Sequence, residues 1–144
     1  MLHRESLSTE PNRIPLNSTL INKDGRCYTF DDRGAGYGRG EGLGVLILKR
    51  LDNAIADGDA IHALVLNSGV GHDGKTAGIF LPNADAQETL ARSVYEKAGL
   101  DPTGTLYVEA HGTGTVAGDK AEIQSIGNVF GRKAGRKTEL VVVS

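Results

Sequence analysis

The sequence carries a single cysteine, so an internal disulfide framework is excluded and a reducing, cytoplasmic setting is expected. It has no apolar run near the roughly 18 residues a membrane span requires. The opening MLHRESLSTEPN lacks an apolar centre, so it does not read as a secretory leader. Charge of one sign is also missing. Sixteen basic and 18 acidic residues leave a formal net charge of -2, which argues against a protein that binds nucleic acid electrostatically. Glycine, by contrast, is abundant at 20 of 144 residues and is clustered in prospective loops. A chain of this length suits one ordinary domain.

Residues 1–19 read as a polar, disordered N-terminal segment. Asn22-Lys23-Asp24-Gly25 is a turn signal. Glycines then recur at every second position from Gly34 to Gly44, leading into the apolar run 45–48, which predicts a buried strand. Residues 51–56 predict a short helix closed by Gly58, and residues 61–66 a further strand. Residues 84–98 place Ala86, Leu90 and Val94 on one face with Gly99 as the stop, the pattern of an amphipathic helix. Residues 105–110 predict a strand. Residues 119–130 predict a helix with Ile123, Ile126 and Phe130 inward and Gly131 at its end, and residues 140–143 a last strand. Alternating strands and helices imply a layered α/β fold with parallel pairing.

The stretch TLYVEAHGTGTVAGD, residues 105–119, holds the strongest functional signal. An apolar strand delivers His111 into a loop just past its end, where α/β proteins place ligands. Gly112 and Gly114 permit tight backbone geometry, while Thr113 and Thr115 present two hydroxyls that both donate and accept. Asp119 and Glu122 have capping-box spacing and predict the start of the next helix.

VEAHGTGTVAGDKAE resembles the first active-site histidine motif of the β-ketoacyl synthases, the condensing enzymes of fatty-acid and polyketide assembly. DGRCYTFDDRGAGYGRGEGLGVLILKRL, residues 24–51, is similar to the segment closing the first half of those enzymes. NSGVGHDGKTAGIFLPN, residues 67–83, is similar to the segment opening their second half. The tyrosine- and arginine-bearing glycine run resembles the multidomain type I polyketide synthases in particular. The resemblance implies an incomplete thiolase-like α/β fold, with residues 20–59 ending the first half and residues 60–144 beginning the second.

It further implies His111 as a catalytic residue, Thr113 and Thr115 as contacts of the pantetheine arm, and Gly112, Gly114, Asp119 and Glu122 as supports of the active-site loop. No stretch matches the family's nucleophilic cysteine, its second histidine or its lysine, and the apolar run before Ser144 resembles an interrupted core strand. The 144-residue chain alone is therefore expected to be inactive. By the same resemblance, no cofactor is expected to be bound directly and the substrates would be phosphopantetheine-linked. The partners would be an acyl-carrier protein and other polyketide synthase domains, with a homodimer for the complete domain, and neither nucleic acid nor membrane. Val116-Ala117 and Lys120 depart from the family's proline-bearing flanks, and Gly71-His72-Asp73 stands where an asparagine commonly precedes the acidic turn.

Other readings compete. Residues 69–76, GVGHDGKT, fit a phosphate-binding P-loop, and Gly69, Gly71 and Gly74 fit a dinucleotide-binding spacing. Either requires a helix beginning at the loop, and Gly78 and Pro82 leave no room for one. A non-catalytic remnant acting as a binding piece is a further alternative. Cys27 precedes extended chain with no helix N-terminus to activate it, and so reads as structural. His3, His62 and His72 lack partners at metal-ligand spacing, so no metal is expected. Arg132, Lys133, Arg136 and Lys137 read as a solvated turn, or as a dock for an acidic carrier protein.

Overall fold

The computed structural model of the chain describes residues 20–78, 80–131 and 139–144. The expected disorder of residues 1–19 and the basic cluster at residues 132–137 lie outside the described residues, as does His3.

Helix α1 (Leu51–Ala56) is a short turn of chain with Ala54 buried, and Gly58 closes it with φ +70°. Helix α2 (Ala84–Ala98) begins where the Asn83 side-chain oxygen accepts the N–H groups of Asp85 and Ala86. It ends at Gly99, whose left-handed backbone (φ +66°) turns the chain so that the Gly99 and Leu100 N–H groups reach the Glu96 and Tyr95 carbonyls. A 3-10 turn, Pro102–Gly104, leads to strand β1 (Tyr107–Glu109). The Thr103 N–H bonded to Asp101 holds that carboxyl below its usual range.

Helix α3 (Val116–Phe130) follows, then strand β2 (Val141–Val143), which pairs in parallel with β1 in the register Tyr107–Val141, Val108–Val142 and Glu109–Val143. The Ala110 N–H extends the pairing to the Val143 carbonyl at 2.7 Å. A strand, a helix and a parallel strand in succession form the α/β unit expected from the sequence.

The core lies where α3 crosses α2 over this strand pair. Ile126, Val129 and Phe130 are buried there, packed against Ala91 and Tyr95 of α2 and against Val108, Ala110, Leu140 and Val142. Burying each of the three larger side chains contributes about 1.5–3 kcal/mol. The Phe130 ring meets Tyr95 edge to face, with centroids 5.3 Å apart and planes at 66°. At the rim, Glu88 accepts from Arg92 at 2.8 Å and from the Asn128 amide at 2.9 Å, while Arg92 also donates to the Asn128 carbonyl at 2.9 Å. The Asn128 amide, then Arg92, hold the Glu88 carboxyl below its usual range. Among the described residues, no helix is long and apolar enough to cross a membrane.

Several sequence expectations are corrected. Helix α3 starts three residues earlier than predicted, because Thr115 and not Asp119 is its N-cap; the Thr115 hydroxyl accepts the Gly118 N–H at 3.2 Å. Ile123, expected inward, is 44% exposed, and Val129 takes its place at 1%. One residue is about 100° around a helix, so the buried stripe through Ser125, Ile126, Val129 and Phe130 leaves Ile123 beside it. Gly131 ends the helix in extended backbone (φ -85°), not in the left-handed form a C′ glycine suggests.

The strands expected at residues 45–48 and 61–66 form no ladder among the described residues. Leu46 and Ile47 are 86% and 95% exposed, and Val65 is 75% exposed. An extended run becomes a strand only beside a hydrogen-bonding neighbour, and no described segment pairs its backbone with these two in a ladder.

Candidate active site

The loop between β1 and α3 is built on two left-handed glycines, Gly112 (φ +58°) and Gly114 (φ +68°). Both positions demand glycine for space as well as for backbone angle. A Cβ on Gly114 would overlap the Cys27 carbonyl, and one on Gly112 would strike the side chains of Ser144 and Thr29. The loop therefore lies directly against residues 27–36, which precede it by about eighty positions.

Two carboxylates on α3 hold it from below. Glu122 accepts the His111 N–H at 2.6 Å and the Gly112 N–H at 2.9 Å, one on each carboxylate oxygen. Asp119, one turn earlier, accepts the Gly114 N–H at 2.9 Å and the Phe30 N–H at 2.6 Å, again one on each oxygen. These are charge-assisted bonds, roughly twice as strong as neutral ones, and Asp119 lies in the first helical turn, where the helix dipole favours negative charge. The capping-box reading of these two residues is thus corrected: both carboxylates tie down the loop ahead of the helix.

From above, the Thr29 hydroxyl donates to the Gly112 carbonyl at 2.6 Å, and the Gly36 N–H donates to the Gly114 carbonyl at 3.0 Å. Thr29 sits between two non-glycine residues in left-handed backbone, Tyr28 (φ 49°) and Phe30 (φ 55°). Such conformations carry about 1–3 kcal/mol of strain each and persist where surrounding contacts determine them. Arg33 supplies some of those contacts. Its guanidinium lies 4.4 Å from the Tyr28 ring centroid and donates to both oxygens of Asp31 at 2.8 Å, which holds the Asp31 carboxyl well below the usual range.

The residues singled out from sequence are therefore brought together. The His111 side chain is exposed and has no hydrogen bond to another described residue. It borders a cavity of about 430 Å³ lined also by Gly69, Leu90, Val94, Val108 and Glu122. The hydroxyls of Thr113 and Thr115 lie 3.0 Å apart over Gly118, where any Cβ would collide with the Thr115 hydroxyl. Thr29 and the Phe30 N–H carry no signal in the sequence, because bonds spanning 83 and 89 residues have no local signature.

The P-loop alternative is not supported. Among the described residues no helix begins at Thr76, and the next one, α2, has its first N–H groups taken up by Asn83. Asp73 in turn accepts the Asn83 N–H at 3.0 Å, so the loop is folded onto that cap. The glycines answer to packing instead. A Cβ on Gly69 would lie 2.6 Å from a Val94 methyl and one on Gly71 3.3 Å from a Leu90 methyl, so the backbone rests against α2. The His72 imidazole accepts the Gly74 N–H through Nδ1 at 3.0 Å. Cys27 is half-buried, and its Sγ accepts the Gly38 N–H at 3.3 Å.

Comparison with known proteins gives this architecture a family. Residues 62–144 match the β-ketoacyl synthase C-terminal domain, and residues 15–54 match the β-ketoacyl synthase N-terminal domain. The chain is 51% identical over all 144 residues to the highly reducing polyketide synthase ltbA of Aspergillus luteorubrus, of which it spans 4%. It is 56% identical over 114 residues, 79% of its length, to 5-methyl-1-naphthoate synthase of Streptomyces sahachiroi, of which it spans 6%. Among solved structures it superposes on the ketosynthase from module 6 of the bacillaene synthase of Bacillus subtilis 168. There the TM-score is 0.81 at 42% identity, covering 86% of this chain and 22% of the ketosynthase. The α/β unit is thus part of a thiolase-like fold, and the chain belongs to the β-ketoacyl synthase family as a segment of a polyketide synthase ketosynthase.

Proposed function

We propose that this segment contributes the first catalytic histidine, His111, to a ketosynthase that joins an acyl thioester to a malonyl group by decarboxylative condensation. The observation that carries the reading is the held loop. Glu122, Asp119, Thr29 and Gly36 together hold the backbone of His111, Gly112 and Gly114, leaving the His111 ring exposed beside a cavity.

In this reaction the malonyl thioester releases carbon dioxide, and the electron pair of the broken bond forms an enolate. The enolate carbon attacks the acyl thioester held on a cysteine of the complete domain, and that cysteine leaves as thiolate. Negative charge builds on the malonyl thioester oxygen, and His111, donating from a ring nitrogen, stabilises it there. Preorganisation gives such a donor its effect, since no loop need reorder as charge develops. Thr113 and Thr115, adjacent on the same loop, hydrogen-bond the amides of the phosphopantetheine arm that carries the malonyl group. The partners under this reading are an acyl-carrier protein and the other domains of the synthase.

The test is to replace the matching segment of the bacillaene module 6 ketosynthase with this one and assay malonyl-carrier decarboxylation and chain extension. The graft is expected to load an acyl chain and extend it, while the 144-residue polypeptide by itself does neither. A ketoacyl product from the isolated chain, with acyl transfer onto Cys27, would contradict the reading. So would a graft that loads but never decarboxylates.

A further inference from the structure

We infer that Thr29 is a positioning residue for the condensation step, setting the angle of the peptide that joins Gly112 to Thr113 in the His111 loop. The inference rests on the function proposed above and adds a residue from the other matched region of the chain.

Gly112 is bonded through both of its backbone groups. Its N–H is committed to Glu122 at 2.9 Å and its carbonyl to the Thr29 hydroxyl at 2.6 Å. The peptide planes on both sides of Gly112 are therefore fixed by side chains, one from α3 and one from residues 27–36. A glycine with φ +58° and no Cβ has no steric preference of its own to hold that geometry. His111 immediately precedes Gly112 and Thr113 follows it, so rotation of either plane displaces a proposed donor.

The Thr29 side chain is itself closely determined. Tyr28 and Phe30 on either side both adopt left-handed backbone, which turns the hydroxyl of the residue between them toward the loop. The Phe30 N–H is pinned to Asp119 at 2.6 Å, and the Gly34 N–H closes onto the Asp31 carbonyl at 2.9 Å. The Thr29 γ-methyl lies close enough that a Cβ on Gly112 would approach it to 2.8 Å, so the residue limits the loop sterically as well. Among the described residues, Thr29 is the one hydroxyl of residues 20–54 bonded to the His111 loop. Strained backbone on both sides of the Thr29 bond, itself tied to α3 through the Phe30 N–H, is an arrangement that favours preorganised geometry over local stability.

The test uses the same ketosynthase graft carrying Thr29→Val, Thr29→Ser or His111→Ala, and reads the ratio of malonyl-carrier decarboxylation to acyl loading. Valine keeps the branched shape and removes the donor. It is expected to lower the ratio about tenfold or more, since small misplacements of a catalytic group have effects of that size. Serine, which keeps the hydroxyl, is expected to restore most of it. An unchanged ratio in the valine variant overturns the inference. A parallel fall in loading and decarboxylation, or a serine variant no better than valine, does so too, because each describes a merely structural threonine. If His111→Ala leaves the ratio untouched, the proposed function fails whatever Thr29 does. If His111→Ala lowers it and Thr29→Val does not, the positioning role alone fails.

Discussion

Helix α3 and the extended run at residues 43–48 are both rich in apolar side chains, yet they end in opposite environments. Ile126 and Val129 of α3 are 5% and 1% exposed, whereas Leu43 and Ile47 are 93% and 95% exposed. A helix satisfies its backbone internally and needs only one apolar face to find a neighbour, which α2 provides. A strand needs a partner for its backbone before its side chains can pack. The chain spans 22% of the bacillaene ketosynthase, and the apolar runs at residues 45–48 and 61–66, unpaired among the described residues, are where further strands of such a domain are expected to pack.

The sharpest way to break this contrast is Ile47→Asp. In the isolated chain, where Ile47 is exposed, the substitution should alter stability by less than about 0.5 kcal/mol. In the ketosynthase graft it should bury an unpaired charge and remove several kcal/mol, or about 4, enough to abolish the folded enzyme by circular dichroism. An equal effect in both settings would mean that Ile47 is no buried strand residue at all.

Phe130→Ala has the next largest expected effect. It empties the space between α2, α3 and the strand pair and removes the Tyr95 contact, so it should lower the graft's stability in chemical denaturation by about 3–5 kcal/mol. A loss below about 1 kcal/mol would show that the α2–α3 contact is not a core.

The smallest effect belongs to Glu88. Its carboxyl is held below the usual value of 4.5 by Asn128 and Arg92. Ionised Glu88 therefore adds to the α2–α3 contact above about pH 4.5, and the contribution is lost as pH falls through the lowered folded value. Glu88→Gln should flatten the acid side of the stability profile slightly and leave neutral pH nearly unchanged. A steeper acid limb in the variant would contradict the sign.

Much of this arrangement is legible in the sequence, and the parts that are not share a cause. The span of α2 follows from the spacing of Ala86, Leu90 and Val94 and from Gly99, a residue whose local chemistry stops a helix. His111 at the head of alternating glycines and threonines marks the loop, as does the family resemblance. The start of α3 is misread because Asp119 and Glu122 imitate a capping box while their carboxylates serve the loop instead. GVGHDGKT imitates a phosphate loop because close packing on Leu90 and Val94 also selects glycine. Ladder formation at residues 45–48 depends on neighbours that no local pattern specifies. The bonds from Thr29 and Phe30 to the loop join residues more than eighty positions apart, and only the folded chain reveals them.

Under the proposed function, the held loop presents His111 to a developing negative charge. The most direct test of this role is the rate of malonyl-carrier decarboxylation, relative to acyl loading, in the graft carrying His111→Ala. Removing a preorganised donor of this kind should lower that ratio by about a hundredfold or more. A ratio within about twofold of the unsubstituted graft, far below what loss of such a donor produces, would contradict it.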